Sequence, residues 1–216
     1  MSNSDSFIDE VTEEVRRDRL YNSLKRYGWI GILVVLLIVG GAAFTEYRKV
    51  QARAEAQAFG TALLSALEAP EASDRIAALE QIDAPGADAL AVQDMLIAAE
   101  EAQAVGNAEA AARLSALATG SELSPIYREI ARYKALTHAG GTMSADERRI
   151  GFEALTGGPL RLLAEEQLAL IEIETGNPDA AVTRLQKIIT DAEVSQGLRR
   201  RATQLIVALG GLPETA

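Results

Sequence analysis

The chain has 216 residues, with 31 acidic against 21 basic side chains and a formal net charge of −10. That balance argues against a nucleic-acid or other phosphate-binding surface and for an acidic, solvated exterior. Cysteine is absent, which excludes disulfides, thiolate nucleophiles and Cys-ligated metals. Aromatic residues make up only 5%, and alanine is abundant beyond residue 50. Alanine is the best helix former and lets helices approach closely, so the composition predicts all-α packing.

Residues 1–26 form a tail of mixed charge. Phe7, Ile8, Val11, Val15, Leu20 and Leu24 recur at roughly helical intervals, with Asp5, Asp9, Glu10, Glu13 and Glu14 early and Arg16, Arg17, Arg19, Lys25 and Arg26 late. That polarity complements a helix dipole and predicts a surface helix leading into the next segment; a docking helix for a cytoplasmic partner is the alternative.

Tyr27 to Phe44, YGWIGILVVLLIVGGAAF, carries no charge. Roughly 18 residues at about 1.5 Å each reach about 27 Å as a helix, close to the hydrocarbon thickness of a bilayer. A transmembrane helix over 27–45 is expected, with Tyr27, Trp29 and Phe44 as interface anchors in the lipid bilayer. The basic residues from Arg16 to Arg26 outnumber Arg48, Lys49 and Arg53 beyond the span, which predicts a cytoplasmic N-terminus and an exported domain over 46–216. Gly41-Ala42-Ala43 also fits a cleavage site; the long tail and full-length apolar run favour an uncleaved anchor.

Beyond the span the pattern reads as helices separated by turns. Thr45 to Ala69 continues without a break, with Gly60 a weak point and Phe59, Leu63, Leu64 and Leu67 as its apolar stripe. Ser73 is expected to cap the next helix, which stops at Asp83-Ala84-Pro85-Gly86. Further helices are predicted over 87–105, 108–118, 125–139 (capped by Ser124), 145 to near Gly157-Gly158, 159–175 (opened by Pro159), 179–191 and 196–209. Ser144 and Glu147 have capping-box spacing.

Turn glycines Gly106, Gly140 and Gly176 recur at intervals of 34 and 36 residues. A helix–turn–helix unit of roughly 34 residues is the tetratricopeptide period. That repeat places a small residue about seven positions before the glycine and an alanine about five after it. Alignment on the glycines selects Ala99 and Ala111 in one unit and Ala169 and Ala181 in another. The middle unit has Tyr133 and Ala145 there. The expected fold is therefore all-α: an N-terminal transmembrane helix, then a tetratricopeptide-like solenoid of degenerate helical pairs.

The tail SDSFIDEVTEEVRRDRLYNSLKRYGW, the single span and the ending RLLAEEQLALIEIETGNPDAAVTRLQKIITDAEVSQGLRRRATQLIVALGG together resemble the YfgM-like family in its α-proteobacterial branch. The resemblance implies an ancillary subunit of the bacterial SecYEG translocon. It implies an inner-membrane anchor and a periplasmic tetratricopeptide-like domain that links export to periplasmic chaperones. An envelope-assembly or cell-division scaffold is the alternative reading.

A search for chemistry finds no catalytic, cofactor or metal constellation, so no enzyme, cofactor or small-molecule substrate is expected. His138 is the only histidine, near a helix end where a cation would suit the dipole. The neighbours Glu100-Glu101 and Glu165-Glu166 are read as diverging, solvated acids, and Asp179 as a cap-region acid. Arg199-Arg200-Arg201 is read as a solvated face or a contact for an acidic partner.

Overall fold

The computed structural model describes residues 3–212, with side chains for 25, 26 and 29–212. The side chains of residues 1–24 of the charged tail and of Tyr27 therefore lie outside the described residues. The chain divides into two units, Met1–Gln57 and Ala58–Ala216. Helix is the only regular structure among the described residues: α1 (Asn3–Leu67), α2 (Ala72–Glu80), α3 (Ala87–Ala104), α4 (Asn107–Ala118), α5 (Pro125–His138), α6 (Ala145–Glu153), α7 (Arg161–Glu174), α8 (Pro178–Thr190) and α9 (Gln196–Ala208), with a 3₁₀ turn over Ala139–Gly141.

In the first unit, α1 contains one stretch long and apolar enough to cross a membrane. Its apolar window has a mean hydropathy of 2.1, and none of it is buried. Ile32, Leu36, Leu37 and Ile38 are each about two-thirds exposed. These positions run round the helix rather than along one stripe, which is the pattern of a helix solvated by lipid and not of one packed on a core.

In the second unit, the helices from α2 to α9 pack mainly on their neighbours in sequence, α5 chiefly on α4, with the smallest sequential contact between α5 and α6. The closing turns of α1 start the core: Phe59, Leu63 and Ala66 pack with Leu79 and Ile97. Leu64, expected in that stripe, is 68% exposed. It lies about 100° round the helix from Leu63, off the face that Phe59, Leu63 and Leu67 share. Alanines sit where helices cross, with Ala98, Ala110 and Ala135 meeting around Leu114 and Ala169, Ala181 and Ala202 around Leu185. Between these clusters, Phe152 packs with Leu136, Leu168 and Ile171, and Tyr133 meets its ring edge-on at 5.8 Å.

Helix ends follow local chemistry. Ser144 accepts from the Glu147 N–H, and the Glu147 carboxylate accepts from the Ser144 N–H, so the capping box forms. Glu147 titrates below the usual carboxylate range because of those backbone and hydroxyl bonds from Ser144. Gly176 adopts φ +80°, with Asn177 N–H bonded to Glu172 O and Gly176 N–H to Ile173 O, a Schellman end. Gln93 is buried and donates to Leu79 O and Ile82 O, closing the end of α2.

Four expected helix-end assignments differ. Ser73 lies inside α2, whose N-cap is Glu71 without a side-chain bond. Ser124 occupies the N-cap of α5, yet its hydroxyl and N–H both donate to Asp88 of α3 rather than capping α5. That pair holds the Asp88 carboxyl below its usual range. Pro159 precedes α7, because the Gly158 carbonyl first closes a turn onto the Arg161 N–H; α6 likewise ends at Glu153, before the glycines.

Ser144→Ala is expected to cost about 1 kcal/mol and Gly176→Ala a similar amount, whereas Ser73→Ala should be near neutral. Thermal melts of the full chain check this, the first two falling by about 2–4 °C.

Candidate functional site

One spacing recurs among the charged side chains. On α4, Arg113 donates through Nε and Nη2 to Glu101 (3.0 and 2.7 Å), with Nη1 3.3 Å from Asp94 and Nη2 3.0 Å from Glu80. On α8, Arg184 donates through Nε and Nη2 to Glu172 (3.0 and 2.8 Å) and through Nη1 to Glu165. In both clamps the acids precede the arginine by 12 and 19 residues. The two clamps are 71 residues apart. Spacings of this size place both acids on the facing helix of one antiparallel pair, where the planar guanidinium reaches them together.

The middle pair keeps half of the device. Arg148 of α6 stands 35 residues after Arg113 and 36 before Arg184. Glu129 is the acid 19 before it, but Leu136 occupies the position 12 before. Arg148 instead donates to both oxygens of Glu174 on α7, at 2.6 and 2.7 Å. Its Nε and the Glu129 Oε2 are buried without a partner. This pair also has the smallest sequential contact, between α5 and α6.

The clamps fix a register that differs by one residue from alignment on turn glycines. A shift of 71 matches Ala98 with Ala169 and Ala110 with Ala181, all at 0–1% exposure. Ala99 is half-buried and Ala111 is buried. The slip arises because the glycines do different jobs: Gly176 follows the end of α7, whereas Gly106 is the N-cap of α4 at φ +143°. Gly140 lies in the 3₁₀ turn with no positive φ. In the first unit, Trp29 and Phe44 are about 62% and 61% exposed, and the Arg48 guanidinium lies 5.9 Å from the Phe44 ring centroid.

The neighbouring carboxylates diverge, as expected, but they are not solvated. Glu100 pairs with Arg75 and Glu101 with Arg113; Glu165 pairs with Arg184 and Glu166 with Arg201. Glu166 is buried and bidentate to Arg201 at 2.7 Å for each bond. The Arg199-Arg200-Arg201 run is therefore split, with Arg201 engaged and Arg199 and Arg200 exposed. His138 is half-buried, with Nδ1 2.9 Å from Asn107 Oδ1. Burial, and after it the nearby Lys134, lower its pKa, which works against the cation that would suit the dipole at a helix end. Asp179 lies in the first turn of α8, where an acid complements the dipole.

Between α3 and α4 lies an open groove of about 740 Å³, with Leu90, Ala112 and Ala116 exposed along it. No group of three or more His, Cys, Asp or Glu among the described residues is placed to hold a metal ion. Comparison with known proteins returns no match: no family model, no curated protein and no solved structure matches this chain.

Removing a clamp arginine leaves two half-buried acids on one helix without their shared partner. Arg113→Met is expected to cost about 1–2 kcal/mol, less than a fully buried pair because the guanidinium is partly solvated. Arg113→Met combined with Glu101→Gln should lose less than the sum of the two single changes, measured by urea unfolding of all four proteins.

Arg161 grips Asp191 through two bonds of 2.7 and 2.9 Å. Arg161, with the Glu193 N–H, holds the Asp191 carboxyl down at about 2 against an ordinary 3.8. A depressed folded pKa means the contribution is present above about pH 4 and lost as pH falls toward 2. The melting-temperature gap between wild type and Asp191→Asn should therefore close over that window, as read by thermal melts at stepped pH.

Proposed function

We propose that this chain is a membrane-anchored protein–protein interaction module without catalytic activity. The observation that carries it is the joining of two parts. One is an uncharged, wholly exposed apolar run. The other is a helical unit whose clefts hold structural ion pairs rather than a constellation of reacting groups. Recurrence of the clamp at Arg113 and Arg184, with a half-kept copy at Arg148, supports a repeat array in the sense of stacked helical pairs. Such arrays present extended side-chain surfaces, and a membrane anchor raises their effective concentration beside a membrane machine.

The topology that fits the basic bias is an N-terminal tail in the cytoplasm, a single pass through the bacterial inner membrane, and a periplasmic domain. The YfgM-like resemblance directs the choice of first partner to the SecYEG translocon, with periplasmic chaperones as the receivers of exported chains.

Three measurements test this. Protease added outside the inner membrane should digest the domain beyond Glu46 and leave the tail protected; the reverse pattern overturns the orientation. Photo-crosslinkers at Arg48 and Arg53 should capture translocon subunits. Capture of division or outer-membrane assembly proteins instead would replace the export reading with the envelope-scaffold one, and release of the chain by alkaline extraction would overturn the anchor.

A further inference from the structure

The two clamped helix pairs carry the same framework but different outer faces. On the α3–α4 face, Leu90, Ala112 and Ala116 line the open groove, and Leu90 is 47% exposed. The same positions on the α7–α8 face, 71 residues on, hold Arg161, Thr183 and Lys187. There the Arg161 guanidinium reaches across to Asp191 and Glu193. Asp191 stands where the first pair has Gly120 and Glu193 where it has Glu122. One face is thus bridged by an ion pair and studded with cations, while the other is left apolar and open.

The open face is also strongly one-sided in charge. Its lining includes the carboxylates of Asp94, Glu101, Glu109 and Glu122 against the single guanidinium of Arg113. Arg113 is already engaged with Glu80, Asp94 and Glu101, which leaves Glu109 and Glu122, both exposed, for an incoming group. Small side chains at Ala112 and Ala116 admit close approach, and Leu90 offers apolar contact area. An occupant that matches this surface needs apolar side chains to cover Leu90 and the alanines and ammonium or guanidinium groups to meet the acids.

We infer that the α3–α4 groove is a docking site for a basic, apolar peptide segment, and that the α7–α8 face is the closed counterpart. The inference rests on the reading of this unit as an interaction module and names the place and chemistry of one contact. The acids steer and select, while the apolar strip supplies the contact area.

The probe is a short fluorescein-labelled peptide of Leu, Ala and Lys, titrated against the full chain in non-ionic detergent and read by anisotropy. Its counterpart with Glu in place of Lys is the charge control. Leu90→Arg with Ala116→Lys transplants the closed face onto the open one; both residues occur at the matching positions of the second pair, so the helices should remain folded, as circular dichroism would show. Ile126→Arg with Val207→Lys adds the same charge at exposed apolar positions outside the groove lining.

The expected result is binding of the Lys peptide by wild type, weakened at least about tenfold in the transplant and less than about threefold in the control. Equal weakening in both variants would reduce the effect to net charge and overturn the groove. Undiminished binding in the transplant places the contact elsewhere, which sinks this inference but leaves the interaction reading standing. Failure of the Lys peptide to bind, or equal binding of the Glu peptide, overturns the proposed chemistry. The interaction reading itself stands or falls on the crosslinking described above.

Discussion

A guanidinium held in the seam between two helices is the constraint on which the second unit depends. Arg113 and Arg184 are each about 70% removed from solvent along their side chains. A charge so placed must find acids at fixed positions on the facing helix, or its desolvation goes uncompensated. Acids 12 and 19 residues earlier satisfy it only if the turn length and the helix register are both right. The clamp therefore acts less as a store of stability than as a selector of one register, because slippage by a single residue would rotate the acids away by about 100°.

Alanine is what allows the clamp to close. With Ala98 against Ala110 and Ala169 against Ala181, the helices approach closely enough for a side chain on one to reach two on the other. Larger residues at those crossings would push the axes apart and lengthen every clamp bond. The middle pair illustrates the reverse case: Tyr133 and Phe152 fill the crossing with aromatic area, Leu136 replaces the near acid, and Arg148 turns to α7 for its partner. Apolar area there does the work that charge does in the flanking pairs, and leaves Arg148 Nε and Glu129 Oε2 without partners.

Much of the fold was legible because helix signals are local. Proline and glycine punctuation, the Ser144–Glu147 spacing and the uncharged run of α1 each act within a few residues, and the helices lie close to where those signals put them, except at the end of α6 and the start of α7. The ion pairs were not legible in the same way. Glu165-Glu166 looks like any solvated acidic pair until the fold sets one on Arg184 and the other on Arg201, the latter 35 residues on. The recurrence of arginine at 113, 148 and 184 was present in the sequence and would have given the correct register. Glycine hid it, since Gly106 and Gly176 serve opposite ends of a turn. Ser73 and Ser124 mark a related limit: a residue with capping chemistry caps only if no stronger partner, such as Asp88, is brought to it by tertiary packing.

The two units place opposite demands on solvent, and their union is the functional statement of the chain. From Trp29 to Phe44, α1 exposes a run of large apolar side chains; at about 1.5–3 kcal/mol each, a lipid phase would recover on the order of 20 kcal/mol by covering them. Among the described residues the apolar window is wholly unburied. The second unit is acidic and water-seeking, and an anionic bilayer surface would repel it. Arg48, Lys49 and Arg53, just beyond the apolar run, are the residues suited to that surface instead. Under the proposed function, such a division of charge suits a helical unit that is tethered to a membrane and not adsorbed on it. Under that same proposal, weak, charge-selected contacts would be sufficient, because an anchor raises effective concentration without any new contact.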